Sequence, residues 1–395
     1  MPKLGPIRPA RTIDWNVQAL GLRSGRLKKR QWIVGVAVLL VLLALFLWAR
    51  HRIHFNFSEF GSQLALADWR RIAVAFGCIF VGYFFRAFRW AALMRHNKKV
   101  SGFSLAGAQI IGFTAVGLIG RVADLVRPYL IARKTKTELS PQVAVYVVER
   151  LSDMGSIALI FSIAVLQLPQ AQVVAAIQHS ARLAALSHNS PETAAFFFRY
   201  GGLVLTLLGA AFLVGIRLGG EVIARVFEGV FGIVSKTLAH AVGHKIRTFR
   251  TGLDTIRSFA DFSVLVVLSL SMWVLITSAY FETIHAFTAS PQLAALTPSK
   301  TVFLMAVSGG ASVLQLPILM WFSQIGIVAA AIAGFFGAAP EASTACAATL
   351  LLVTFLGIVP IGLIWAQFEH VNLRRVTRES EHAGEDLAAG AEPMP

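Results

Sequence analysis

Between Val143 and Leu168 the chain is apolar for the length of a membrane helix, yet Glu149, Arg150 and Asp153 interrupt it. A charged side chain at the centre of a bilayer costs roughly 3 kcal/mol or more, so it faces protein or water and has a partner. On a helix Glu149 and Asp153 share a face, and Arg150 can pair with Asp153 one turn away. A single helix therefore leaves Glu149 in need of a cation from another segment. Any fold of this chain must bring one to it.

The rest of the composition agrees with a lipid setting. Of 395 residues, 56% are hydrophobic and only 14% charged, against about 25% charged in a soluble domain. The mean hydropathy is +0.67. Several runs reach the roughly 18 apolar residues that span a bilayer. The expected fold class is an all-α polytopic membrane protein with about 7–9 transmembrane helices. The formal charge of +16 does not point to nucleic acid, because the basic residues sit in short segments between apolar runs, as in cytoplasmic loops. Anionic lipid headgroups are the expected partners. Two cysteines, Cys78 and Cys346, lie inside apolar runs and offer no disulfide framework. No cofactor or metal site is expected.

In chain order, residues 1–30 read as a basic, disordered cytoplasmic tail. Residues 31–369 form the helical membrane domain. Trp32 to Ala49 is the first span, an uncleaved anchor rather than a signal peptide. Ile72 to Met94 follows, with Arg86 and Arg89. Arg89 is close enough to the basic loop after it to snorkel to the interface, which makes Arg86 the better functional candidate. Residues 101–120 are short and Gly-rich with basic flanks, so a re-entrant hairpin within them satisfies the charge rule better than a crossing. The segment from Arg121 to Lys134, with Asp124 inside it, reads as lying at the membrane surface. Residues 169–192 and 289–300 are expected outside. Residues 217–261 are expected inside as a basic amphipathic loop. Phe262 to Phe287 contains Glu282 and His285, a lone Glu-x-x-His pair that falls short of a di-iron pattern. The stretch 302–338 is broken by Gly309, Gly310 and Pro317, with Gln315, Ser323 and Gln324 nearby. A broken helix exposes backbone to polar parts of a substrate. Ala342 to Phe368 is the last span, and 370–395 reads as a disordered tail. Both termini are expected in the cytoplasm.

Three spaced motifs, FFRAFRWAALMR, GFTAVGLIGRVADLVRPYLIARK and VVERLSDMG, resemble the flippase-like transmembrane family, which includes the membrane domain of lysylphosphatidylglycerol synthases. The resemblance covers about residues 32–368. Family members often carry a Pro-Gly-Gly turn and a Glu in the second half, where this chain reads LQLPILMWFSQIG. No soluble aminoacyl-transferase domain accompanies the motifs, so the resemblance implies lipid handling or translocation rather than lipid aminoacylation.

The functional expectation is a translocator of a phospholipid or a lipid-linked anionic substrate. Its substrate-binding candidates are Arg86, Arg89, Arg121, Asp124, Arg127, Glu149, Arg150, Asp153, Gln315 and Gln324. Arginine suits phosphate by its forked donors. Two other classes compete. One is a membrane enzyme acting on a lipid-linked sugar or phosphate, with Glu149 and Asp153 as its pair. The other is a non-transporting partner of envelope biosynthesis enzymes. Headgroup movement in vesicles separates the first from both.

Overall fold

Among the described residues one closely packed helix pair is antiparallel and tied at both ends. In this computed structural model helix α2 (Trp69–Met94) lies along helix α6 (Phe259–His285). At one end the amide of Asp68 donates to the carbonyl of Ala286, and Arg71 pairs with Glu282 at 2.9 Å. At the other end Asp261 pairs with Arg95 and with His96. Asp68 caps α2 by accepting from the Arg70 amide, and Ser258 with Asp261 forms a capping box on α6. The two ends, Asp68 and Arg95, orient everything else.

The structure describes residues 55–171, 258–313 and 320–388, with scattered positions between 174 and 228. The basic tail 1–30, the first apolar run, Gln315 and Pro317 lie outside the described residues. So does almost all of the loop 217–261. Phe57–Pro395 clusters as one unit. Among the described residues all regular structure is helical. Four helices among the described residues are long and apolar enough to cross a membrane: Trp69–Met94, Gly102–Ile119, Phe259–His285 and Pro340–Phe368.

Helix α1 (Phe57–Ala65) precedes α2 at the Asp68 end. After α2 the chain enters helix α3 (Gly102–Ile119), a 3-10 turn (Arg121–Leu125) and helix α4 (Val126–Thr135). The expected reversal within 101–120 is not there. Those residues make one unbroken helix, and the chain turns back only after it. Gly120 ends α3 at φ 91, a value that favours glycine. Helix α4 then returns along α3. Lys98, before α3, reaches the carbonyl of Thr135 at the end of α4, so both limbs open at the Arg95 end. The segment from Arg121 to Lys134 is therefore the returning limb of a hairpin, not a surface strip. Its residues Val126, Arg127, Leu130 and Ile131 are buried.

Helix α5 (Leu139–Gln167) crosses back; its Gln167 accepts from Ser299 beyond the far end of α6. A second hairpin enters from that Asp68 end. Helix α7 (Pro298–Val313) and helix α8 (Met320–Phe336) lie side by side, with Phe303 against Phe335 and Ser308 bonded to Gln324. The expected break does not fall at Gly309 and Gly310, which lie inside the continuous helix α7; the interruption is a reversal of direction between α7 and α8. Helix α9 (Pro340–Leu351), a π-helical turn (Leu352–Leu356) and helix α10 (Ile358–Phe368) return to the Arg95 end, where Glu369 pairs with Lys134 at 2.6 Å.

The tail also differs from expectation. Residues 373–388 form helix α11 (Leu373–Ala388), which packs along α4 and the 3-10 turn. Val376, Thr377, Ser380 and Ala383 are its buried face. A small-residue face allows close approach, and charge fills the other side.

Candidate functional site

Glu149 and Asp153 sit one turn apart on α5 and are 1% and 6% exposed. The cations come from three elements. Arg86 and Arg89 project from α2, Arg127 from α4 and Arg150 from α5 itself. Arg89 lies 3.0 Å from Glu149 and 2.7 Å from Asp153. Arg86 lies 3.3 Å from Glu149 and 3.5 Å from Asp153. Arg127 reaches Glu149 at 3.1 Å. Arg150 reaches Glu149 at 3.1 Å and Asp153 at 3.3 Å. Four guanidinium groups thus surround two carboxylates.

Neutral donors and aromatic faces complete the shell. Trp273 Nε1 donates to Asp153 at 3.3 Å, and Arg89 Nη1 donates both to Ser269 on α6 at 3.0 Å and to Asp153 on α5 at 2.7 Å. Arg127 Nη1 also donates to Gln109 Oε1 at 3.3 Å. The Arg127 guanidinium lies 4.3 Å from the centre of Phe113 and 5.2 Å from Tyr146, and Arg86 lies 4.8 Å from Phe113. A cation over an aromatic face is stabilised by about 1–2 kcal/mol when desolvated. Gly112 makes the approach possible: a Cβ there would overlap Arg127 Cγ and lie 3.2 Å from its Cα.

Burial differs within the set. Arg89 and Arg127 are sealed, with side chains 1% and 0% exposed, whereas Arg150 is 37% exposed. Arg89 does not snorkel. Its position near the helix end suggested a route to water, but α5 and α6 close over it and supply Asp153 and Ser269. The carboxylates outcompete the interface because both are already buried and need the charge.

Of the other expected site residues, Asp124 lies in the 3-10 turn, partly buried, near enough to Tyr146 and Arg150 to act on both electrostatically. Arg121 opens that turn, and its side chain lies outside the described residues. Gln324 belongs to a different polar set: it donates to Ser308 at 3.3 Å, and Tyr280 donates to Ser308 at 2.9 Å. Gln109, Ser269, Trp273 and the aromatic faces escaped the sequence reading. Gln109 was findable, being the one amide in the apolar run Gly102–Ile119. The Glu282–His285 pair does not act together: Glu282 holds Arg71, and His285 stacks on Phe281. No group of three or more metal-ligating side chains occurs among the described residues.

This arrangement can bind an anion, shield buried charge while idle, and exchange one carboxylate contact for another. The sequence model of a family described as "Lysylphosphatidylglycerol synthase TM region" matches residues 32–364. No curated protein and no solved structure matches the chain.

Proposed function

Starting from the fact that this chain belongs to the family of the lysylphosphatidylglycerol synthase TM region, we propose that it moves a phospholipid, or a lipid-linked anionic substrate, between leaflets. The observation that carries this reading is the cluster of four arginines on two carboxylates, set between elements of membrane-helix length. A translocator must take a polar headgroup past hydrocarbon while the tails stay in lipid. That needs charge at depth, held ready by internal partners, because a bare charge there is too costly. The arginines match a phosphate, and the carboxylates hold them in register when no headgroup is bound. The two hairpins entering from opposite ends support the same reading. Such broken segments bring polar backbone to membrane depth beside a substrate.

The Arg95 end carries Arg95, Lys98, Lys99, Arg133, Lys134, Lys136, Arg374 and Arg375. By the positive-inside rule it is the cytoplasmic end. The deciding experiment is a fluorescent phosphatidylglycerol in vesicles of phosphatidylcholine and phosphatidylglycerol carrying the purified chain. Quenching from outside reads how much label reaches each leaflet. Wild-type vesicles are expected to lose nearly all fluorescence and protein-free vesicles about half. Equal loss in both, with folded protein present, rejects translocation.

A further inference from the structure

The cluster is not charge-neutral. Arg86, Arg89, Arg127 and Arg150 against Glu149 and Asp153 leave a surplus of two positive charges, or one when Asp124 is counted. Buried charge without an opposite partner is destabilising. A second observation is independent of that sum. Arg127 is wholly buried and uses only its Nη1, which it shares between Gln109 and Glu149. Its Nε and Nη2 have no hydrogen-bond partner. Those two atoms form the edge of a guanidinium that gives two parallel hydrogen bonds to an oxyanion. Gln109, also fully buried, spends its oxygen on Arg127, and its Nε2 has no partner. A buried donor left unpaired is costly, and here several lie on two touching side chains.

We propose that the Nε/Nη2 edge of Arg127 with Gln109 Nε2 is the subsite for a phosphate oxyanion, and that the cluster therefore selects a headgroup of net negative charge and rejects a lysyl-bearing one. Phosphatidylglycerol carries one negative charge and relieves the surplus. A lysyl ester of it adds ammonium groups and brings net positive charge to a positive site. Arg150, the half-exposed member, is the gate: its contacts to Glu149 and Asp153 are the ones a headgroup can displace without unpacking α2, α4 or α6. Phe113 covers one face of Arg127, so the ligand meets the guanidinium at its edge. This deepens the translocator reading and takes from it only the idea that a lipid headgroup reaches the cluster.

The test uses the full chain in detergent and follows its melting temperature. The additions are dihexanoyl phosphatidylglycerol, its lysyl ester and inorganic phosphate. Phosphatidylglycerol is expected to raise the melting temperature in a saturable way. The lysyl ester is expected to bind about tenfold more weakly or worse, since a like charge even about 12 Å away at an effective dielectric of about 20 has an effect of that size. A larger effect of the lipid than of inorganic phosphate assigns the subsite to a headgroup; equal effects assign it to free phosphate. No effect of either, or a lysyl ester that binds as well as phosphatidylglycerol, overturns the proposal. Gln109→Glu places a carboxylate beside Arg127. It is expected to melt higher than wild type without ligand and to lose the phosphatidylglycerol shift. A Gln109→Glu chain that keeps the full shift overturns the subsite, as does a Gln109→Leu chain that folds and keeps it. Vesicles separate the two readings. Lipid movement indifferent to headgroup charge sinks this inference and leaves translocation standing. Selective binding with no movement does the reverse.

Discussion

Trp321 Nε1 donates to the carbonyl of Gly117 at 3.1 Å. The bond joins the inner end of one hairpin to the inner end of the other. Trp321 opens α8 just after its hairpin reverses, and Gly117 lies in the last turn of α3 before its own reversal. The Trp321 ring also lies 5.4 Å from Phe355, inside the π-helical turn of the last span. Three irregular features of the backbone thus meet at one indole. Trp321→Phe keeps the ring and removes the donor. It should lower stability by about 1 kcal/mol, the net value of one hydrogen bond. Thermal unfolding reads this. A variant as stable as wild type would show that the bond ties nothing.

Glu149→Gln should be far more damaging. The carboxylate receives Arg86, Arg89, Arg127 and Arg150, and an amide replaces its charge with a donor facing donors. Breaking a buried pair costs about 3–5 kcal/mol. Arg127→Gln should cost similarly, and the double variant should cost less than the sum of the two. Additive losses in chemical unfolding would mean that the two side chains do not interact.

Glycine substitutions give a sharp contrast. Gly112→Ala pushes a methyl into Arg127, backbone included, and should cost about 1–3 kcal/mol along with lipid movement. Gly309→Ala meets nothing within 4 Å and should be neutral or stabilising by about 0.5–1 kcal/mol. Similar melting temperatures for the two would contradict the close approach of α3 and α4.

The hairpins make a labelling prediction. In a chain lacking Cys78 and Cys346, Lys98→Cys and Lys136→Cys should react from the same side of the membrane. Ala294→Cys and Ala339→Cys should react from the other. Labelling of Lys98→Cys and Lys136→Cys from opposite faces would turn the first hairpin into a crossing.

Helix α11 should respond to acid. Glu379 accepts from Arg375 at 2.6 Å and from Tyr129 at 3.0 Å. The Arg375 hydrogen bond, helped by that of Tyr129, holds its carboxyl below the ordinary value. A depressed value in the folded state means the contact stabilises docking above the free carboxylate's pKa, about 4.3. That stabilisation fades as pH falls through the lower folded value. Protection of the Val376 and Ser380 amides, relative to their intrinsic exchange rates, should therefore weaken below about pH 4, modestly because the pair is exposed. Glu379→Gln should remove the pH dependence.

What could be read from the sequence followed cost. Glu149, Arg150 and Asp153 had to be buried and paired, and the preceding arginines were the available partners. Depth was harder to read. A basic stretch from Arg121 to Lys134 looks like surface because one dimension cannot show that α4 folds back against α3 and buries Arg127. Arg89 looked free to reach water for the same reason. Helix α11 was missed because its buried face is built of Val376, Thr377, Ser380 and Ala383, too small and polar to stand out among charges. Gln109 needed only the rule already applied to Glu149: a polar side chain in an apolar run needs a partner.

The surplus positive charge of the cluster has an electrical consequence. It lies between the two ends of helices that traverse the bilayer, so it stands within the field set up by the membrane voltage. Moving one elementary charge through the whole of that field is worth about 2.3 kcal/mol per 100 mV. A rearrangement that carries the arginines even part of the way toward either face is biased by the resting potential of the cell. A cluster with equal numbers of cations and anions, moved as one body, would feel almost no such bias, so the unequal count would tie the proposed movement of lipid to the membrane voltage.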